Sequence, residues 1–137
     1  MKIRHNVSEL EFNSMREWWR HRGQQIPKFE FLPKHSFSVC EDSELVEDQF
    51  QLAVWYYVDY ESKTIIPDWL ISNPENSLGT LLKAVALMSD ELEEICNAAG
   101  LKVIRCFTWS PTIAKYAERF GFEFEPNPVY HYGKLIK

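Results

Sequence analysis

The stretch from Asp68 to Phe122 reads strand, loop, helix, strand, helix, and that order restricts the fold more than anything else in the chain. Ile65–Ser72 is a run of strand formers, and the polar loop Asn73–Gly79 opens a long helix. Leu78, Leu81, Leu82, Val85, Met88, Leu92, Cys96 and Ala99 recur at three- and four-residue steps, which gives that helix one apolar face. Gly100 supplies a stop. Leu101–Trp109 is rich in β-formers and alternates from Val103 to Phe107, and Ser110-Pro111 caps a second helix that ends in Arg119-Phe120-Gly121-Phe122. Two strands joined by a crossover helix form a βαβ unit, so they are expected to be parallel, with a right-handed crossover.

Upstream the pattern is antiparallel. Met1–Asn6 is a short candidate strand, and Ser8-Glu9-Leu10-Glu11 has the form of a capping box opening a helix that runs to Arg22 and stops at Gly23. Leu10, Met15, Trp18 and Trp19 are expected to form its apolar stripe; the two tryptophans are adjacent, so one belongs to the core and the other is a candidate cleft residue. Gln24–Pro33 has two prolines and no period, which predicts a loop or short helix. Phe37–Glu41, Gln51–Tyr60 and Ile65–Ser72 then read as a meander with turns at Asp42–Gln49 and Ser62-Lys63. Pro67 is awkward inside the last of these, because proline removes a ladder donor. Glu123–Ile136 is expected to close the chain as two short strands around Pro126-Asn127-Pro128.

A chain of 137 residues is one domain's worth, and 45% hydrophobic with 15% aromatic content makes it globular rather than disordered. The net charge of −5 argues against a protein that coats nucleic acid. Residues 1–35 hold seven Lys/Arg against four Asp/Glu, while Glu41–Glu61 holds seven acids and no base. That acidic segment is either a solvated hairpin or a rim that attracts an amine. Cys40, Cys96 and Cys106 are odd in number and lack a CxxC spacing, so neither a disulfide framework nor a metal site is suggested; all three are expected in the core. No apolar run spans a bilayer and the start lacks an apolar leader core, which makes a cytoplasmic location the expectation.

The run Ser110–Phe124 (SPTIAKYAERFGFEF) resembles the closing motif of the GNAT superfamily of N-acetyltransferases, in which the helix after the fifth strand ends in Gly-Phe. With the Asn73-Pro74 loop, MREWW near the start and FLPKHSFSV in the middle, nearly the whole chain resembles the short GNAT proteins common in phage genomes. The resemblance implies a single-domain α/β (α+β) fold over residues 1–137, with a mixed, mostly antiparallel sheet whose fourth and fifth strands are parallel and splay apart. It also implies acetyl-CoA as cofactor, an amine of a protein or small molecule as acceptor, and the cytoplasm of an infected host as the setting. The alternative is a GNAT-fold protein that has lost catalysis and serves as a binding or virion-associated module.

Acetyl transfer needs a deprotonated amine, a donor for the developing oxyanion and a proton for the departing thiolate. By resemblance, Asp68 stands where GNAT enzymes often carry the general base, and its apolar sequence neighbours Ile65, Ile66, Trp69 and Leu70 predict a raised pKa. The family's acid is a Tyr four residues before the Gly of Gly-Phe; here that position is Ala117, with Tyr116 beside it as candidate acid. Leu70, Ile71, Ser72, Leu78, Gly79, Thr80 and Ser110 fall where the family binds its cofactor, Ser110 standing in for the usual Asn. Against the phosphate-loop signature Arg/Gln-x-x-Gly-x-Gly/Ala, the segment Pro74–Gly79 matches only at Gly79, which leaves an ordinary Asn76- or Ser77-capped helix as the plainer reading. Trp18, Trp19, Tyr130 and Tyr132 are the candidates for lining the acceptor cleft.

Overall fold

Five strands pair in the order in which the chain makes them: β1 (Lys2–His5), β2 (His35–Cys40), β3 (Phe50–Asp59), β4 (Thr64–Ser72) and β5 (Val103–Ile104). The first four are mutually antiparallel, and β5 lies parallel to β4. This computed structural model describes residues 1–41, 49–107, 111–123, 134 and 136. The chain divides into two compact units, Met1–Phe107 and Thr108–Lys137. The acidic turn and most of the expected closing strands lie outside the described residues.

Short polar links make the meander possible. Between β3 and β4 the Asp59 carboxylate accepts from the backbone N–H groups of Glu61 and Ser62, and Lys63 takes a left-handed φ of 52°. The parallel pair instead needs a long crossover, which is helix α2 (Leu78–Ala99), closed by Gly100 at φ 72°. Helix α1 (Glu9–His21) fills the β1–β2 connection. Its capping box is formed as the sequence predicts, Ser8 Oγ accepting from Glu11 N and Glu11 Oε1 from Ser8 N, both at 3.1 Å.

Each face of the sheet carries its own core. Phe37, Val39, Leu52, Val54, Tyr56 and Ile65 meet Ala84, Met88, Leu92 and Cys96 of α2 on one side. On the other, Ala53, Trp55 and Ile71 meet Phe12, Met15, Trp18 and Trp19 of α1. Three members of the expected stripes are corrected. Leu10 is 81% exposed, because it is rotated about 140° from Met15 on the helix, and Phe12 takes its place. Leu78 and Ala99, at the two ends of α2, are likewise exposed, and the buried line runs through Ala84 at four-residue steps.

The fifth strand is much shorter than its alternation predicts. Among the described residues only Thr64↔Val103 and Ile65↔Ile104 pair, and one further bond, from Arg105 N to Ile65 O, reaches beyond them. Cys106 is exposed rather than in the core, while Cys40 and Cys96 are buried as expected.

β4 contains the feature that the sequence signalled through Pro67. Trp55 pairs with Trp69, but Tyr56 pairs with Pro67, so Asp68 is an extra residue with no partner of its own, a β-bulge. Side-chain parity changes across it. Ile65 packs on the α2 side and Ile71, six residues later, on the α1 side, although an unbroken strand would send both the same way. Pro67 removes no bond from the β3–β4 ladder. The Ile65 carbonyl faces β5, where it accepts from Arg105 N, so by alternation the Pro67 nitrogen faces the same outer edge.

Candidate functional site

The opening lies where β4 outruns β5. The last bond across the parallel pair is Arg105 N to Ile65 O at 3.0 Å, and β4 continues to Ser72 with no strand on its outer edge among the described residues. The two strands thus part as expected, and the bulge at Asp68 falls just past the point of parting.

Asp68 is exposed, and no hydrogen bond or ion pair engages it among the described residues. The apolar surroundings expected from Ile65, Ile66, Trp69 and Leu70 do not enclose it. Alternation from Ile66, the partner of Tyr57, places residue 68 on the α1 side of the sheet. Burial, and then the Asp68 charge, push the Tyr57 hydroxyl up. Tyr56, adjacent but on the other face, is pushed up by burial and by Glu91 and Tyr60, without Asp68.

The rest of β4 is committed to structure. Leu70 packs against the α2-side core and Ile71 is buried on the α1 side, so neither side chain is free to face a ligand. Ser72 Oγ accepts from Arg22 Nη2 at 2.8 Å, and Arg22 Nη1 also donates to the Trp18 carbonyl. Burial there lowers the pKa of the guanidinium. Arg22 ties the end of α1 to the end of β4.

The loop that follows is braced rather than glycine-rich. Asn73 Nδ2 and Asn76 Nδ2 donate to the Phe50 and Gln51 carbonyls of β3, and Glu75 N donates to Asn73 Oδ1. Of the two caps the sequence left open, Ser77 is the one used: its Oγ accepts from Thr80 N and meets Thr80 Oγ1 at 3.0 Å. The N–H groups of Leu78 and Gly79 have no partner among the described residues, and nothing lies within 4 Å of a Cβ built on Gly79. A helix N-terminus with free donors and open space above a glycine fits an anionic group.

On the α1 side, Glu17, Trp18, Arg20 and His21 face Asn73, Pro74 and Glu75 across an open cleft of about 500 Å³. Trp18 forms part of that wall. Trp19 is a core residue, its ring centroid 5.5 Å from Phe12 and 6.1 Å from Trp55.

In the second unit, α3 (Pro111–Ala117) passes into a 3₁₀ turn over Glu118–Phe120 and ends at Gly121, φ 85°. Tyr116 is half-buried, with Arg119 4.8 Å and Lys115 5.6 Å from its ring centre. Ser110, Tyr130 and Tyr132 lie outside the described residues. No metal-binding group of three is found among the described residues, and no described helix is long and apolar enough to cross a membrane.

The fold recurs in solved structures. One described as a probable acetyltransferase shares the fold at a TM-score of 0.68 and 16% identity, covering 100% of this chain and 99% of its own. An aminoglycoside N-acetyltransferase in complex with CoA matches at 0.63 and 19% identity, over 98% of this chain and 100% of its own. The chain has the GNAT fold. A protein called a transcriptional regulator from Bacillus halodurans also shares it, at 0.65 and 13% identity, over 96% of this chain and 99% of its own. No family model and no curated protein sequence matches the chain. Within the GNAT fold, Tyr57 and Arg22 are the site neighbours that sequence reasoning missed. Pro67 inside a strand was the available signal for the bulge at Asp68.

Proposed function

We propose that this protein is a single acyl-CoA-binding domain over residues 1–137 that transfers acetyl from acetyl-CoA to an amine of a protein or small molecule. The observation that carries the reading is the parting of β4 and β5 with an exposed, unpaired carboxylate at the bulge beside it. Likeness in fold to acetyltransferases, one of them in complex with CoA, supports it.

In this reading Asp68 takes a proton from the acceptor ammonium. The neutral nitrogen attacks the thioester carbonyl carbon, the oxyanion meets backbone N–H groups on the open edge of β4, and the carbon–sulfur bond breaks. The amide nitrogen loses its second proton and the CoA thiolate takes one, so the products are amide, CoA thiol and one proton. Leu78, Gly79 and Thr80 at the start of α2 receive the pyrophosphate through backbone donors and the helix dipole. Tyr116 and Ser110 enter by resemblance, Tyr116 as proton source for the thiolate. A thiol's pKa is only about 8.5, so loss of that proton source slows transfer without abolishing it.

Acetyl-CoA is expected to raise the melting temperature of the full chain and to bind in a calorimetric titration. A folded protein that shows neither at millimolar acetyl-CoA contradicts the reading.

A second reading, a binding module without catalysis, is favoured by the loop. Asn73 and Asn76 are spent on β3, and Glu75 places a negative charge where a pyrophosphate would lie. A fold partner called a transcriptional regulator fits it too. CoA binding with no acetyl release across an amine panel would favour this second reading. The phage setting, with its virion-associated role and host cytoplasm, rests on the sequence resemblance alone.

A further inference from the structure

Tyr57 stands out on the face it occupies. It shares the α1 side of the sheet with Ala53 and Trp55, yet these are buried and Tyr57 is 45% exposed. Register places Ile66 directly across from it and Trp69 across from Trp55, so the shelf beyond the α1-side core is Tyr57, Ile66 and Trp69. Alternation from Ile66 places Asp68 on this same face, exposed and without a cation among the described residues. The electrostatic effect of Asp68 on the Tyr57 hydroxyl agrees with that placement.

We infer that Tyr57 is a specificity-determining residue, whose ring and the neighbouring Asp68 carboxylate receive the acceptor as an alkylammonium ion. The chemistry is complementary on two counts. A carboxylate with no protein cation attracts one from solution, and an aromatic face beside it adds a cation–π contact. A neutral or anionic acceptor gains neither. The inference rests on the acyl-transfer reading for the word acceptor, but the binding surface itself does not.

The test titrates n-butylammonium, with 1-pentanol as a neutral molecule of similar shape, into the ¹⁵N-labelled full chain. Backbone amide shifts at Tyr57, Ile66, Asp68 and Trp69 are followed. The ammonium is expected to shift these amides saturably, and the alcohol is not. Asp68→Asn should weaken binding about five-fold, the loss of one ion contact near a surface. Tyr57→Leu should weaken it about two- to five-fold, and Tyr57→Phe, which keeps the ring, should bind about as wild type. Equal shifts with the alcohol, or Asp68→Asn binding the ammonium unchanged, would overturn the inference. Acetyl-CoA binding is measured separately, so ammonium binding without an acetyl-CoA effect removes the acyl-transfer reading and leaves this surface standing. Acetyl-CoA binding without ammonium binding removes this inference alone.

Discussion

In the proposed reading Asp68 is the residue on which the site turns, and its position has a backbone cause. An ordinary strand residue at 68 would be fixed in the β3 ladder; the bulge frees it, and the absence of a partner leaves the carboxylate available. If it is the base, Asp68→Asn should lower turnover about 10²–10⁴-fold near neutral pH with acetyl-CoA affinity unchanged. Steady-state rates beside a calorimetric titration decide it, and a parallel fall in melting temperature would instead mark a structural Asp. Gly79 invites the opposite dissection. A Cβ there meets nothing, and alanine suits a helix better than glycine by about 0.5–1 kcal/mol, so Gly79→Ala should stabilise the free protein. If a phosphate lies over that Cα, the same change should weaken acetyl-CoA binding. A stabilised variant with undiminished affinity would put the phosphate elsewhere. Asp68 and Gly79 are candidates because the GNAT resemblance points to them by distance along the chain. Tyr57 was not legible in the sequence, because its place beside Asp68 depends on cross-strand register.

Among the elements, α1, α2, β3 and β4 were legible because each is long enough for its period to show. The alternation from Val103 to Phe107 was equally plain, yet β5 pairs with β4 over two residues only. The β3–β4 turn is an element with its own titration. The Ser62 hydroxyl and the Ser62 and Glu61 N–H groups hold the Asp59 carboxyl below the usual carboxylate range. A group depressed in the folded state stabilises above its unfolded value, about 3.9, and loses that contribution as pH falls through the folded one. The turn should therefore loosen only below about pH 4, with the Glu61 and Ser62 amide shifts titrating together. A midpoint above the ordinary carboxylate range would contradict those bonds.

For the molecule as a whole, the division of the first unit's core between two faces decides where substitutions are costly. Leu92 is fully enclosed between α2 and the sheet, so Leu92→Ala should cost about 2–5 kcal/mol in chemical denaturation. Leu10→Ala, on the solvent side of α1, should shift the midpoint little. Comparable losses at both would mean that α1 buries a different stripe. Hydrophobic spacing announced both helices but not which leucines they bury, since Leu10 and Leu78 satisfy a pattern that the packing does not use.

The change of parity across the bulge bears on how this chain can vary over time. Losing or gaining one residue between Ile66 and Trp69 would exchange the destinations of every side chain downstream in β4, sending Trp69 and Ile71 toward α2 and Leu70 toward α1. An exchange of one side chain for another at position 68 disturbs only an exposed group. Selection therefore acts on the length of this segment more severely than on its composition, and a lineage can retune the chemistry at residue 68 far more readily than it can move the bulge that presents it.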